Sequence, residues 1–331
     1  MKSAAKRAAL GLLSSAPVHG MLRWRALRNK PLTVLCYHTL RPDNENLDAW
    51  LALRLGDFRR QLDILRRDYD IVSLDEGLEP ARPGTRPRAV LTFDDGEWGL
   101  YEYLRPLVEA EGVPVTVYVA TGQIESGVPY WFDRVMNALQ REGAGQIDLT
   151  AAGLGRWTVG PARGKARWQV IGDILEALKA VAPPDREALA QDVVAQAGAG
   201  AGTGTDAFSP LRPMSVEQLR DLAASPHVTI GAHSHCHSLL DQIPLNEARD
   251  SIARSRELLR AWTGQPVRHF AYPNGNFSPA LVSEMAALGF ASASILGDRP
   301  APPGSDPFAL PRIGIGRYDG PERFRLRLVG I

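Results

Sequence analysis

The stretch Ala89–Gly96, with the sequence AVLTFDDG, decides how the rest of the chain is interpreted. Its apolar first part, Ala89–Phe93, has the pattern of a buried strand. Asp94, Asp95 and a glycine follow it directly. In parallel α/β sheets, ligands and catalytic groups gather at the carboxyl ends of strands. Two adjacent carboxylates repel each other unless a positive charge shares the site. A divalent metal ion meets that need, with one Asp as its ligand and the other accepting a proton from water. The alternatives are a pair of solvated loop aspartates and a turn closed by Gly96.

A second stretch, Thr229–His237 (TIGAHSHCH), joins an apolar strand to a histidine cluster. Four of the seven histidines of the chain lie between residues 227 and 237. Neutral imidazole is the commonest protein ligand of zinc-like metals. If the segment stays extended, His233, His235 and His237 share one face; if it turns helical, His233 and His237 pair at i and i+4. We favour the helical pairing, because the strand has already run through Gly231. The competing interpretation is a solvated histidine surface.

A third stretch, His269–Gly275 (HFAYPNG), again runs from a strand into a turn that contains Pro and Gly. Such a turn can direct backbone N–H groups at an oxyanion that develops during hydrolysis. Taken alone, the stretch fits an ordinary strand–loop junction equally well.

Around these stretches, short β-type runs alternate with helical patterns, which predicts βα units and a parallel sheet. The predicted strands are Leu32–Tyr37, Ala89–Phe93, Val115–Ala120, Val228–Gly231, His269–Tyr272 and Ala291–Leu296. The predicted helices are Asp57–Arg67, Leu100–Glu111, Ser215–Ala224, Asn246–Trp262 and Pro279–Leu288. Ser215 and Gln218 have the spacing of a capping box. The alternation loosens between Gly122 and Pro213, and we interpret this segment (about 123–213) as a largely helical insertion on one barrel of residues 31–331.

Length and composition are those of a globular enzyme, with 331 residues, of which 44% are hydrophobic and 23% charged. A formal net charge of +1 argues against a nucleic-acid-binding protein, which normally carries a concentrated basic surplus. Two cysteines, Cys36 and Cys236, do not make a disulfide framework. We expect Cys236 to be a small packing residue.

Residues 1–30 carry seven Lys and Arg residues around a short apolar stretch. That stretch is shorter than the apolar core of a signal peptide, and basic residues resume at Arg23. We therefore predict a basic arm that packs on the domain or rests on an anionic membrane surface. No other segment approaches the ~18 apolar residues that span a bilayer. The expected location is the cytoplasm or the inner face of the membrane, ahead of a secreted or periplasmic one.

Together the three stretches resemble the polysaccharide deacetylase family, the NodB-homology proteins of carbohydrate esterase family four. The family's first motif, T-F-D-D-G, corresponds to Thr92–Gly96, and its second, H-[ST]-x-x-H, to His233–His237. Its third motif ends at Pro273–Gly275. The resemblance covers roughly residues 31–318, and the insertion matches poorly. It implies an α/β fold, a distorted (β/α) barrel of about seven strands.

The resemblance also implies a role for each matching residue. Asp95, His233 and His237 would hold the metal ion, which is usually Zn²⁺ in this family. Asp94 would be the general base, and the backbone N–H of Asn274 would help to stabilise the oxyanion. The implied reaction is hydrolysis of an N-acetyl, or an N-formyl, amide on an amino sugar of a polysaccharide or glycan intermediate.

The sequence departs from the family in two places. Ala271 stands where the family usually has an Arg that orients the base, and we predict that Arg312 replaces it; a solvated Arg312 is the alternative. The family's late L-x-H motif, which supplies the general acid, is not evident after residue 290. His38, at the end of the first strand, is our candidate for that role, with a structural histidine as the alternative. We also expect Trp131 and Asp133 to line the sugar site.

Three other functions fit parts of the pattern. The basic arm slightly favours a deformylase or deacetylase of a lipid-linked sugar. The alanine at position 271 and the missing late histidine suggest a catalytically weakened carbohydrate-binding protein, although the three metal ligands and the base are all present. A Mg²⁺-dependent phosphoryl-transfer protein is disfavoured, because hard Mg²⁺ prefers oxygen ligands to imidazole.

Overall fold

The computed structural model describes residues 13, 16–81, 84–141, 143, 145–198 and 209–331. In chain order its strands are β1 (Leu32–Tyr37), β2 (Thr39–Arg41), β3 (Ala52–Arg54), β4 (Asp70–Ile71), β5 (Arg88–Phe93), β6 (Val115–Val119), β7 (Gly145–Asp148), β8 (Arg156–Val159), β9 (Val228–Ala232), β10 (His269–Ala271), β11 (Ser292–Gly297) and β12 (Leu310–Gly314). Its helices are α1 (Ala16–Leu27), α2 (Leu55–Asp68), α3 (Leu74–Leu78), α4 (Arg105–Glu111), α5 (Thr121–Ser126), α6 (Trp131–Leu139), α7 (Lys165–Lys179), α8 (Pro183–Gln196), α9 (Val216–Ala223), α10 (Leu245–Thr263), α11 (Pro279–Glu284) and α12 (Pro321–Arg327).

Parallel strands close into a seven-stranded barrel in the order β1-β12-β11-β10-β9-β6-β5. The ring closes because β5 also pairs with β1, in a register that runs from Leu32↔Arg88 to Tyr37↔Phe93. The short strand β4 adds to the other edge of β5 near its beginning. Parallel neighbours need a crossover connection, and helices supply most of them. The predicted (β/α) barrel of about seven strands is confirmed.

Alternation along the strands divides the buried residues into an inner and an outer set. Val34 and Val90 belong to a small cluster inside the barrel. Their neighbours Leu35 and Leu91 belong to the large cluster between the barrel and the surrounding helices. Helix α2 buries Phe58, Leu62 and Leu65 in that outer cluster. The residues that point into the barrel therefore lie below the side chains at its carboxyl end.

The predicted elements lie where the pattern placed them, with differences at their ends. The helix predicted to begin at Leu100 starts with a π-helical turn, Leu100–Leu104, before α4. We attribute the turn to Pro106, which has no N–H to donate to the preceding turn. The helix predicted over Pro279–Leu288 ends as α11 at Glu284. The capping box is present: the Ser215 hydroxyl accepts from the Gln218 N–H, and the Gln218 side chain accepts from the Ser215 N–H.

The insertion contains helices α6, α7 and α8, but also an antiparallel hairpin of β7 and β8 that the sequence pattern did not indicate. Its apolar side chains form a hydrophobic cluster of their own, which Leu47 and Ala49 join from the loop between β2 and β3. Asp48 of that loop accepts a hydrogen bond from the Gly164 N–H, 2.7 Å away, just before α7. The insertion and the loop therefore pack together. Residues 142, 144 and 199–208 of the predicted insertion lie outside the described residues.

Helix α1 belongs to the predicted basic arm and packs against the amino-terminal end of the barrel. Arg23 forms an ion pair of 3.0 Å with Asp68, the last residue of α2, immediately before β4. His19 Nε2 donates to the carbonyl of Arg325 in α12, 3.2 Å away. Leu27 is buried in the outer core. Packing on the domain, one of the two predicted arrangements, is thus observed for this part of the arm; residues 1–12, 14 and 15 lie outside the described residues.

The outward side of α1 carries two large apolar side chains. Met21 is 64% exposed and Trp24 is 68% exposed. Within the described part of the chain, no helix combines the length and the apolar character that crossing a bilayer requires.

Candidate metal and catalytic site

The first two motifs meet at the carboxyl end of the barrel. Asp94 and Asp95 follow β5, and His233 follows β9, with β6 between the two strands. The His233 N–H donates to the carbonyl of Val119, the last residue of β6, at 3.0 Å. Because parallel strands end at one edge, the register of these three strands places the carboxylates beside the imidazole.

Asp95, His233 and His237 form a compact set of three donors. Asp95 Oδ1 lies 3.1 Å from His237 Nε2 and 3.5 Å from His233 Nε2, and the three candidate ligand atoms lie within 4.8 Å of one another. His233 Nδ1 donates to the carbonyl of Ala271 at 2.7 Å, which leaves Nε2 free to bind a metal ion. One carboxylate oxygen and two imidazole nitrogens suit a zinc-like ion with a further position for water. The predicted proximity of the three residues is confirmed.

The predicted helical conformation of the histidine segment is wrong. His233 and His237 do pair, with ring centroids 4.9 Å apart, but through an irregular loop. Ser234 and His237 both have left-handed backbones, with φ of 62° and 51°. The Ser234 hydroxyl accepts the His237 N–H at 3.0 Å. This turn brings the His237 imidazole beside that of His233. The predicted pairing of the two rings is therefore present, although the segment is not helical.

Unusual backbone geometry concentrates at this site. Among the described residues other than glycine, positive φ values occur at Lys30, Asp95, Ser234, His237 and Asn274. All but Lys30 lie in the three motifs. A left-handed backbone is unfavourable for residues with a Cβ and persists where surrounding contacts impose it, which is typical of functional sites.

Arg312 contacts Asp94, as predicted. It projects from β12, and its NH1 and NH2 donate to the two carboxylate oxygens of Asp94 at 2.6 and 2.7 Å. NH1 also donates to the Thr92 hydroxyl at 3.0 Å, and the guanidinium carbon lies 5.1 Å from the centroid of the Tyr118 ring. Arg312 has no exposed surface. The alternative of a solvated Arg312 is therefore excluded.

Burial and charge together set the ionisation of these groups. Burial opposes charge on Asp94, but Arg312 outweighs it and lowers the pKa of that carboxyl. Burial likewise opposes charge on Asp95, yet hydrogen bonds from His233 and His237 hold its pKa well below the ordinary value. Burial alone would lower the pKa of His233, but Asp94 and Asp95 raise it. The site thus favours positive charge between its carboxylates, which a proton on His233 or a divalent ion supplies.

A second group of potential ligands is less suited to a metal ion. Cys36 Sγ, a ring nitrogen of His38 and a carboxylate oxygen of Asp94 lie within 4.8 Å of one another. Both oxygens of Asp94 already accept from Arg312, however. Burial raises the pKa of the Cys36 thiol well above its ordinary value, so it stays protonated and donates to Asp94 Oδ2 at 3.4 Å. His38 therefore lies beside the candidate base Asp94.

The candidate metal ligands open into a cavity of about 260 Å³ between the barrel and the insertion. His38, Asp94 and Asn274 line it, and so does Trp131, as predicted. Asp133 is 4% exposed and is not among the lining residues, so its predicted place in the sugar site is wrong. Asp133 belongs to α6 and is one of the residues that this helix buries inside the insertion.

Sequence reasoning missed the aromatic residues that complete the cavity, above all Trp50, Phe132 and Trp168. Trp50 stacks edge-on to His38, with ring centroids 5.6 Å apart, and lies flat against Gly316, where any Cβ would approach its indole to 2.2 Å. A glycine two residues after the last strand is the sequence signal of that contact. The expectation that Cys236 packs inside is also wrong: the residue is exposed, in the loop between the candidate ligands His233 and His237.

We expect Arg312→Lys to lower kcat more than it lowers stability. Lysine keeps the positive charge inside the barrel but cannot donate two parallel hydrogen bonds to Asp94. The carboxylate would then rotate, and misplacement of a catalytic group by about 1 Å costs on the order of 10²-fold in rate. Steady-state kinetics and urea denaturation of the same preparation measure both effects. Equal turnover in the variant would show that orientation of Asp94 by Arg312 does not matter for the reaction.

Comparison with known proteins agrees with the geometry. Residues 194–293 match the model of the family described as polysaccharide deacetylase. That range holds the second and third motifs; the first motif, which contains Asp94 and Asp95, lies outside it and joins the site through the fold. No curated protein sequence matches the chain.

Solved structures share the fold over most of the chain. A Streptococcus pyogenes deacetylase, PplD, in complex with acetate aligns with a TM-score of 0.57 at 15% identity, covering 90% of this chain and 98% of that one. IcaB from Ammonifex degensii aligns with a TM-score of 0.56 at 18% identity, covering 90% and 97%. A de-N-acetylase from Aggregatibacter actinomycetemcomitans aligns with a TM-score of 0.55 at 14% identity, covering 90% and 99%. At these identities the likeness shows a shared fold.

Proposed function

We propose that this chain, which has the fold of the polysaccharide deacetylases and their sequence pattern over residues 194–293, is a metal-dependent hydrolase that removes an N-acyl group from an amino sugar of a glycan. One observation carries the proposal. Three metal-binding donors lie within 4.8 Å of one another, beside a buried carboxylate that a bidentate arginine holds in place. That arrangement combines a cation site with a fixed proton acceptor in a cavity large enough for a sugar ring.

Asp95, His233 and His237 would hold the cation, and we propose Zn²⁺ because two of the three donors are imidazoles. A bound divalent cation supplies Lewis acidity, which favours the ionisation of water near neutral pH and polarises the acyl carbonyl. The residues of the chain supply the remaining chemistry. Asp94, ionised and oriented by Arg312, accepts the proton of the attacking water while the oxygen adds to the acyl carbon.

Two further residues would complete the reaction. The backbone N–H of Asn274, on the cavity wall, is proposed to donate to the oxyanion that develops on the acyl oxygen. His38 is proposed to give a proton to the leaving nitrogen as the C–N bond breaks, which releases a free amine and a carboxylate. Its position supports this role, because it lines the cavity and its Nδ1 is buried without a hydrogen-bond partner in the described part of the chain.

The direct test is a deacylation assay on N-acetylated and N-formylated amino sugars, presented as free sugars, oligosaccharides and lipid-linked sugars, with metal content measured alongside. We expect release of acetate or formate that depends on the metal ion. His38→Gln is included and should lower turnover without loss of metal. Binding of sugar with no release of acid would favour the catalytically weakened carbohydrate-binding protein. Activity restricted to lipid-linked substrates would favour the deformylase or deacetylase of such an intermediate.

We further propose that α1 rests on an anionic membrane surface, which would make the protein peripheral at the inner membrane face. Exposed Met21 and Trp24 supply apolar contacts, and the neighbouring Arg25 and Arg28 supply positive charge. Trp24→Ser should weaken binding of the full chain to phosphatidylglycerol-containing vesicles about tenfold, since burying one large apolar side chain is worth about 1.5–3 kcal/mol. Cosedimentation measures this. Equal binding to pure phosphatidylcholine vesicles, or none to either, would contradict the proposal.

A further inference from the structure

Helix α7 of the insertion presents one face to the catalytic cavity. Trp168, Gly172, Leu175, Glu176 and Lys179 all line the cavity, and their spacing places them on one side of the helix. That face is about 16 Å long, at 1.5 Å of rise per residue, which exceeds a single sugar ring. An adjoining side of α7, with Ile171, Ile174 and Leu178, is buried in the hydrophobic cluster of the insertion.

The two ends of this face meet different parts of the site. Lys179 Nζ donates to the side chain of Asn274 at 3.0 Å and to Glu176 at 2.8 Å, so this end lies beside the third motif and the reaction centre. The other end lies near the loop that carries Trp50, because Asp48 of that loop accepts the Gly164 N–H at the start of α7. Trp168 is therefore about three helical turns from the reacting end of the cavity.

Gly172, between these ends, has no evident structural reason to be glycine. It lies inside a helix, where glycine is less favourable than alanine. A Cβ added there would meet only Trp168, at 3.9 Å, which is ordinary van der Waals contact. By the periodicity of the helix, that Cβ would project into the cavity. The missing side chain leaves space beside an indole ring, on the wall of a site proposed to bind carbohydrate.

We propose that Trp168 and the gap at Gly172 form a second sugar subsite, which binds a pyranose ring of the glycan adjoining the amino sugar that loses its acyl group. This proposal rests on the proposed function. An indole offers a broad apolar surface with a polar N–H, which suits a sugar ring with one apolar face and a polar rim. A glycine allows a ligand to approach the helix backbone closely. The substrate would then be an oligosaccharide or polymer, bound better than a free amino sugar.

The test uses Gly172→Ala and Gly172→Leu, with Ala166→Leu on the exposed side of the same helix as the matched control. Thermal denaturation should show that Gly172→Ala is at least as stable as the original protein, since alanine favours a helix. Calorimetry should show that Gly172→Leu binds a glucosamine trisaccharide at least about tenfold more weakly than the original protein does. A tenfold loss is the lower end of what small steric changes cause in a binding pocket. Binding of free glucosamine should not change. Trp168→Ala should behave like Gly172→Leu, and Trp168→Phe should recover part of the affinity.

The results separate this proposal from the proposed function. If Gly172→Leu binds the trisaccharide as tightly as Ala166→Leu does, or if the original protein does not prefer the trisaccharide to glucosamine, the subsite is wrong, whatever the deacylation assay gives. If the trisaccharide binds as expected but no acylated sugar is hydrolysed, the subsite stands and the proposed function fails.

Discussion

Asp94→Asn is expected to lower kcat about 10²–10⁴-fold while the metal content stays unchanged. The asparagine amide has nearly the same shape as the carboxylate but cannot take a proton from water. Asp95 and the two imidazoles, the proposed ligands, are untouched by the change. The variant should also lose stability, because Arg312 would remain buried without its counter-ion, and removing one partner of a buried pair typically costs about 3–5 kcal/mol. Single-turnover kinetics, metal analysis and denaturation on one preparation give all three quantities.

A double variant separates the two effects. Asp94→Asn combined with Arg312→Met removes both buried charges, so stability should recover relative to Asp94→Asn alone. Turnover should stay low, because the base is still missing. If Asp94→Asn retains near-full activity, the base is another group. If it loses the metal ion instead, Asp94 is a ligand and the roles of the two aspartates are exchanged.

Asp95→Ala should abolish both metal binding and turnover. The residue supplies the one oxygen of a three-donor set, and two imidazoles alone leave the cation with too few ligands for tight binding. We expect metal content to fall from about one ion per chain to near zero, and activity to fall with it. His237→Ala should give the same result. Mass spectrometry of metals, with readdition of Zn²⁺ before the assay, measures both.

His235→Ala is the matched control for that experiment. His235 stands between the two proposed histidine ligands in the sequence, but its ring contacts the Thr121 hydroxyl at 3.0 Å and Glu125 at 3.7 Å. It should therefore keep the metal ion and most of the turnover. Loss of metal in His235→Ala, or its retention in Asp95→Ala, would assign the ligands differently.

The sequence alone predicted the site wherever a local pattern carried the information. Asp94, Asp95 and His233 follow apolar runs directly, and the end of a parallel strand is a defined place in a barrel. Arg312 was predicted from a different kind of reasoning. The resemblance implies an arginine that orients the base at position 271, Ala271 stands there instead, and Arg312 was predicted as its substitute. The structure places that arginine on β12, which pairs with β1 in the barrel.

Prediction failed where contacts join distant segments. Nothing near Trp50 in the sequence shows that it lies against Gly316, since that contact exists only once the barrel has closed. The loop of His237 depends on a left-handed Ser234, a conformation that serine rarely adopts and that no local pattern indicates. Asp133 was expected in the site together with Trp131, but residues two positions apart on a helix face different directions.

The placement of α1 determines which way the catalytic opening faces if this helix lies on a bilayer. Arg23 of α1 contacts the end of α2, where the strands begin, whereas Asp94 and Asp95 stand where the strands end. The intervening strands are about six residues long, or roughly 20 Å. Docked in this way, the protein would hold its cavity away from the headgroups and open to the aqueous side. A single sugar anchored close to its lipid in the same leaflet could not reach the cavity. A long glycan that extends into solution could enter the cavity from the aqueous side.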